Sequence, residues 1–452
     1  MKKLIALLLA LVMVLSLAAC GEKAPSKDEP IVVTYYCSIG AYLAKLQEEI
    51  TKWNEGAGKE AGVYIQLESN INTYTNDLEA LMNAGTHYDL IDAGTGNDHW
   101  KAQGWVKDLN TIDNAELKKV IEGYKQYFVA GLNTDPGPDG NMILTAMPLE
   151  VVPLKLAVNT DLFEAKGIAI PTTWDELVDA AIALTDPAAG VYGYGGTTWS
   201  AYYTRLHMMT SANSLPHYWD PATETYSFTQ YEPIIMGLKE MFEAGAIMGL
   251  DDLAIDPIRA EFANGKVAMF PAPAYDFAVY TTQFPAQCNW TVIDFPVVDP
   301  TTSLKGAYMD RVGCAIDAVS YDKADKAKQE AIVKAFCFLN SDELNASIYA
   351  IGGMIPYKAE VIANTKVLVE QPQWALFADI ADYCSHPQFP DSVIPLEGDK
   401  IHDVMNAIVH GALEWDAAIA DLEARYNAAY QAAKQDPDID TSLYAYDYSN
   451  AK

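Results

Sequence analysis

Tyrosine dominates the aromatic side chains: 27 Tyr, 13 Phe and 9 Trp make 11% of 452 residues aromatic. Flat rings suit the apolar C–H faces of sugar rings. Carboxylates, amides and arginine suit the hydroxyl rims, each polar contact contributing about 0.5–1.5 kcal/mol, more when one partner is charged. The stretch YGYGGTTWSAYYTRL, from Tyr192 to Leu206, concentrates these groups. Its glycines leave a loop, with Trp199, Tyr202 and Tyr203 projecting from or beside it. The plainer reading of these rings is core.

The motifs of catalysis are missing. The chain has no G-x-S-x-G, no H-E-x-x-H and no Walker sequence. His87, His99, His207, His217, His386, His402 and His410 are scattered, with no metal-ligand spacing among them. Carboxylates abound, but no two are singled out as a glycosidase pair. Gly94-x-Gly96 meets His99 where a dinucleotide fingerprint needs a third glycine. Tyr35-Tyr36 and Tyr202-Tyr203 are hard oxygen donors of the kind that hold ferric iron. NTDPGPDGN, from Asn133 to Asn141, lacks the spacing and distal Glu of an EF-hand and reads as a hairpin turn. The expectation is a protein without catalytic residues, cofactor or metal.

The elements that must position a site are clearest at the front of the body. IVVTYYCS, from Ile31, is a strand, and AYLAKLQEEITKWNEG is a helix with Leu43, Leu46, Ile50 and Trp53 on one face. GVYIQLES is a strand, TNDLEALMNAG a helix stopped by Gly85, and YDLIDAG a strand. This βαβαβ order implies a parallel sheet whose ligands lie beyond the carboxyl ends of its strands. Those ends are Tyr36-Cys37-Ser38 and the loop Ala93–His99, which holds Asn97 and Asp98. Further on, Thr173 and Glu176 have capping-box spacing ahead of an apolar face of Trp174, Leu177, Val178 and Ala181. In the last helix Trp415, Ile419, Leu422 and Tyr426 form one stripe.

Met1-Lys2-Lys3 and the apolar run Leu4–Ala19 read as a secretory signal, too short and wrongly flanked for a spanning helix. Leu17-Ala18-Ala19-Cys20-Gly21 resembles the lipobox of bacterial lipoproteins, which implies cleavage before Cys20 and lipid on it. Gly21–Pro30 is then a polar tether of about 35 Å reach. Removing the signal leaves 28 basic against 61 acidic residues, a surface that repels nucleic acid and anionic lipid. Cys37, Cys288, Cys314, Cys337 and Cys384 remain. An odd number cannot all pair internally, so they read mostly as buried small hydrophobes.

The stretch VNTDLFEAKGIAIPTTWDEL resembles the signature of extracellular solute-binding protein family 1, the sugar-binding receptors of ABC importers. LEALMNAGTHYDLIDAG, FANGKVAMFPAPAYDF, AIVKAFCFLNSDE, IGGMIPYKAEV and GALEWDAAIADLEARYNAAY are similar to later segments of that family, in the same order. The resemblance implies an α/β, two-lobed fold of the type II periplasmic-binding-protein kind, with a ligand cleft between lobes joined by crossing strands. Crossings are expected at Met147–Asn159, at Phe295–Arg311 and near Gly352-Gly353. Residues 31–149 with 306–352 are expected to form one lobe, and 150–305 with 353–452 the other. It implies a ring-stacking aromatic at Tyr275, beside Asp276, and hydroxyl contacts from Asn97 and Asp98. Glu150 and Asp310-Arg311 lie at crossings and are expected to face the groove, with a local ion pair as the alternative for Asp310-Arg311. Glu397 and Tyr36 complete the candidates with Trp199 and Tyr202.

The function implied is a lipid-anchored receptor, expected to be a monomer, outside the cell membrane, or in the periplasm if two membranes are present. It would carry a carbohydrate to an ABC importer's membrane subunits, without nucleic acid. The rivals are a surface-anchored carbohydrate hydrolase, or the same fold binding a polyamine, an amino acid derivative or ferric iron.

Overall fold

The computed structural model describes residues 29–444 apart from 71–72, 94–99, 102, 129–132, 137–141, 198–217, 251–253, 300, 302–305, 381–382, 386–388, 437–438, 440 and 442–443. Cys20 and the signal segment therefore lie outside the described residues.

Strands β1 (Ile31–Cys37), β2 (Val63–Ser69) and β3 (Leu90–Asp92) run parallel, with helices Leu43–Glu55 and Tyr74–Asn83 between them. Leu46 and Ile50 are buried on the first helix, and Leu78 and Met82 on the second, as four-residue spacing requires. Gly85 follows the second helix at φ +82, a left-handed conformation that costs glycine little. Strands β4 (Thr134–Pro136) and β5 (Met142–Leu144) pair antiparallel on either side of the expected turn.

The twelve-residue β6 (Pro148–Asn159) comes next. It is followed by β7 (Tyr192–Gly195), a hairpin of β8 (Trp219–Asp220) and β9 (Thr225–Tyr226), β10 (Ile247–Met248), β11 (Val267–Pro273) and β12 (Trp290–Ile293). The last strands are β13 (Gly306–Val312), β14 (Cys314–Ile316), β15 (Ile355–Pro356) and β16 (Tyr383–Ser385).

Two main sheets result. One has the order β14-β3-β1-β2; the other has β10-β7-β11-β6-β13-β16, with β12 and β15 also paired to β6. Each has its own apolar core. Val33, Leu46, Ile50, Leu90, Met147, Ile316 and Phe336 belong to the first. Leu156, Trp174, Leu177, Met241, Ile408 and Leu422 belong to the second. The expected two-lobed α/β architecture is present.

The chain passes between the sheets through adjoining extended segments. Met147 packs in the first core and is followed directly by β6 of the larger sheet. β13 pairs with β6, and after Gly313 the chain enters β14 of the smaller sheet. Gly352-Gly353 precedes β15, which pairs with Glu150 and Val151 of β6. The Gly313 N–H donates to the Met147 carbonyl at 2.8 Å, and its own carbonyl accepts from Ala93 N at 3.2 Å. One residue thus ties two passages to the end of β3.

The capping box is formed: Thr173 accepts from Glu176 N at 3.3 Å, and Glu176 accepts from Thr172 N and Thr173 N. Trp174 is buried, donating to the Pro233 carbonyl at 3.2 Å. Gly237 makes that possible, since a Cβ there would lie 2.5 Å from the indole nitrogen. In the last helix, Trp415–Ala433, Ile419, Leu422 and Tyr426 are buried. Cys37, Cys314 and Cys337 are free and buried, and Cys288 is free and half-buried.

Candidate ligand site

Register brings the first polar group together. Arg311 of β13 lies opposite Glu150 of β6, and its Nη1 donates to Glu150 Oε1 at 2.7 Å. The Glu150 side chain is 4% exposed and that of Arg311 29%, so Arg311 is the partner that keeps some exposure to solvent. Burial pushes the Glu150 carboxyl up, opposed by Arg311. Burial works against the Arg311 charge too, but Glu150 and then Asp92 outweigh it and hold the guanidinium firmly protonated. Asp310 is in the same strand, opposite Val151; its side chain lies outside the described part of the structure.

From the smaller sheet come Asp92 and Tyr42. Asp92 ends β3 and accepts from Ser38, the residue after β1, through Oγ at 2.5 Å and N at 3.3 Å. Tyr42 precedes the helix Leu43–Glu55; its hydroxyl is buried without a partner among the described residues. Burial raises its pKa well above the usual phenol range, with Glu150 the largest neighbouring charge.

From the larger sheet comes Tyr275, in the turn after β11. It remains half-exposed, and its pKa is pushed up to about 12 by burial and then by Asp276, with Arg259, Arg311 and Glu150 also in range. Three parts of the fold thus converge: the crossing strands with Glu150 and Arg311, the carboxyl end of β3, and the Tyr275 turn. The grouping presents one half-exposed ring, one half-exposed guanidinium and carboxylates behind them. It can stack on an apolar face and donate to oxygens.

The other predicted residues are placed differently. Asp276 is fully buried and accepts from Arg259 Nη2 at 2.5 Å, so it offers nothing to a ligand in this conformation. Tyr36 is also buried: Tyr74 stacks at 5.0 Å and Tyr88 at 4.9 Å, so its ring is occupied by protein. Neighbours on a strand point to opposite faces, and Tyr35 packs in a different cluster from Tyr36, which rules out a shared metal for this pair. Glu397 is exposed; its carbonyl accepts from Arg425 at 3.1 Å. Asn97, Asp98, Trp199 and Tyr202 lie outside the described residues. Among the described residues no cluster of three His, Cys, Asp or Glu is arranged to hold a metal.

Sequence reasoning missed Arg259, Asp92 and Tyr42. Asp92 was within reach, since it stands one residue before the loop singled out at the end of the third strand. Arg259 gave no signal, because 17 positions separate it from its partner.

The model of the bacterial extracellular solute-binding protein family matches residues 40–340. The chain belongs to that family. Solved structures share the fold of this solute-binding protein. One is the GacH receptor of Streptomyces glaucescens, solved unliganded and with acarbose: 15% identity, 88% of this chain and 98% of that one, TM-score 0.66. Another is a solute-binding protein of Thermotoga lettingae bound to alpha-D-tagatose: 19% identity, 89% and 100% covered, TM-score 0.65. A third is an ABC substrate-binding protein of Listeria monocytogenes in complex with cycloalternan: 17% identity, 88% and 99% covered, TM-score 0.64. At such identities the likeness speaks for the type II fold. No curated protein matches the chain. Among the described residues no helix is long and apolar enough to cross a membrane.

Proposed function

We propose that this solute-binding protein is a lipid-anchored receptor that captures a sugar or oligosaccharide between its lobes and delivers it to an ABC importer. The observation that carries the reading is the pair of part-exposed side chains Tyr275 and Arg311, close enough for the Arg311 charge to act on the Tyr275 hydroxyl. The saccharides bound by proteins of the same fold support it. Lobe closure excludes water and strengthens each polar contact. Cys20 carries the lipid that keeps the receptor beside its membrane partner.

The test is a thermal-shift and calorimetry panel of neutral mono- and oligosaccharides. A true ligand at a hundredfold over Kd stabilises by about 2.7 kcal/mol. Tyr275→Ala is expected to weaken that ligand by roughly tenfold or more, through loss of ring stacking and buried area. Steady release of shortened saccharide makes the protein a hydrolase instead. A response only to a polyamine, an amino acid derivative or ferric iron moves it to another ligand class. Retention of acyl label by a Cys20→Ser variant overturns the anchor.

A further inference from the structure

The buried pair behind Tyr275 is more than a local ion pair. Asp276 opens the short helical turn Asp276–Ala278 directly after Tyr275, and its side chain is wholly buried. Arg259 reaches it from the helix Ile255–Ala263, donating through Nη2 to Oδ1 at 2.5 Å and through Nη1 to the more exposed Asp256 at 3.1 Å. The arrangement uses little of its hydrogen-bonding capacity. Asp276 Oδ2, Arg259 Nε and the Tyr280 hydroxyl are all buried without partners among the described residues. A carboxylate has about four acceptor sites, and leaving them unused in an apolar setting is costly. The pair also joins two elements that no strand ladder connects: the helix Ile255–Ala263 and the turn that presents Tyr275.

We propose that Arg259 and Asp276 form a clamp that positions Tyr275, with Asp276 a positioning residue and the segment 274–283 the element it holds or releases. This rests on the reading of Tyr275 as a ligand-facing ring only for its consequence; the clamp itself is tested without any ligand. The groups facing Asp276 are Arg259 and Asp256 from the helix, and Tyr275 and Tyr280 from its own segment. Cys288 acts on Tyr280, and Arg311 and Glu150 act on Tyr275.

The direction of the pH response follows from burial. Burial outweighs Arg259 and pushes the Asp276 carboxyl up to about 7. An opened segment returns it to water, where an Asp titrates near ~4. Opening therefore releases a proton between these values. The open population rises with pH by up to about tenfold per unit, and levels off once the closed form has also ionised.

Amide hydrogen exchange of 274–283 in the purified protein tests this, corrected for intrinsic exchange and compared with the helix Trp174–Leu184 of the same lobe. In the native protein, opening of 274–283 is expected to climb between pH 5 and pH 7 while the reference helix does not. Asp276→Asn is expected to abolish that climb, which separates Asp276 from Asp256 and Glu150. At pH 8, where Asp276 is ionised beside Arg259 in the closed form, Arg259→Met is expected to raise opening of 274–283 by roughly a hundredfold, with the reference helix much less affected. A climb that survives Asp276→Asn overturns the clamp. So does an Arg259→Met variant in which both segments loosen equally. If Arg259→Met does not fold, the Asp276→Asn slope decides alone. Failure of the saccharide panel leaves these results untouched, so the two readings fall separately.

Discussion

Two buried aspartates, one in each lobe, are satisfied very differently. Asp89, just before β3, accepts from Thr34 N and Oγ1, from Ser320 Oγ at 2.7 Å and from Lys328 Nζ at 2.6 Å. Asp276 has a single partner residue among the described ones, Arg259, and one oxygen left over. Both stand beside a cation, yet the first is wrapped on all sides and the second is not. An unused buried acceptor costs about 1–3 kcal/mol; Asp89 avoids that cost and Asp276 bears it. The spare oxygen of Asp276 lies next to the turn that presents Tyr275.

The largest effect that sharpens this contrast is expected at the saturated site. Asp89→Ala strands Lys328, Ser320 and Thr34 together, and should cost about 3 kcal/mol in urea unfolding, at the low end for a buried pair because Lys328 is part-exposed. A loss below 1 kcal/mol would make saturation meaningless as a marker.

At Asp276 the effect is expected to be smaller and to depend on pH. Its folded pKa is raised, so the stabilisation it brings is fully present below about pH 4 and lost as pH rises through about 7. Relative to Asp276→Asn, the native protein should therefore lose about 2 kcal/mol between pH 4.5 and pH 8, the full burial penalty being relaxed by water. Unfolding midpoints for both proteins across that range check the sign; a gain at high pH breaks the comparison.

The smallest effect is expected at His87, whose Nδ1 lies 2.9 Å from Asp317 in the first lobe. Asp317 is buried and also caps its own helix by accepting from Ser320 N at 2.7 Å. His87→Gln therefore removes one of several partners and should cost about 1 kcal/mol.

Local pattern made much of the scaffold legible. Alternating strands and helices at the start of the body, the Thr173–Glu176 box and the stripe along the last helix all depend on neighbours within a few residues. The second passage was harder to place. The crossing expected from Phe295 to Arg311 includes Pro296 and Pro300, and proline cannot donate to a ladder. The strand begins at Gly306, and the turn into the smaller sheet falls at Gly313.

The site was legible only where one feature sufficed. Glu150 and Arg311 were marked by the crossings, and their pairing follows from register. Tyr36 was marked by its place at a strand end, yet whether its face meets the cleft or the stack of Tyr74 and Tyr88 depends on a helix nearly forty residues away. Asp276 was marked by standing next to Tyr275. In a turn, adjacent side chains diverge, and Asp276 goes inward to an arginine that no spacing rule connects to it.

Gly313 has a mechanical consequence. The same residue holds Met147 through its N–H and Ala93 through its carbonyl, so the strands β6 and β13 leave the smaller sheet from one shared, fixed root. A methyl group at this position would meet the buried Asn340 amide oxygen at 3.2 Å, crowding that root from within its own lobe.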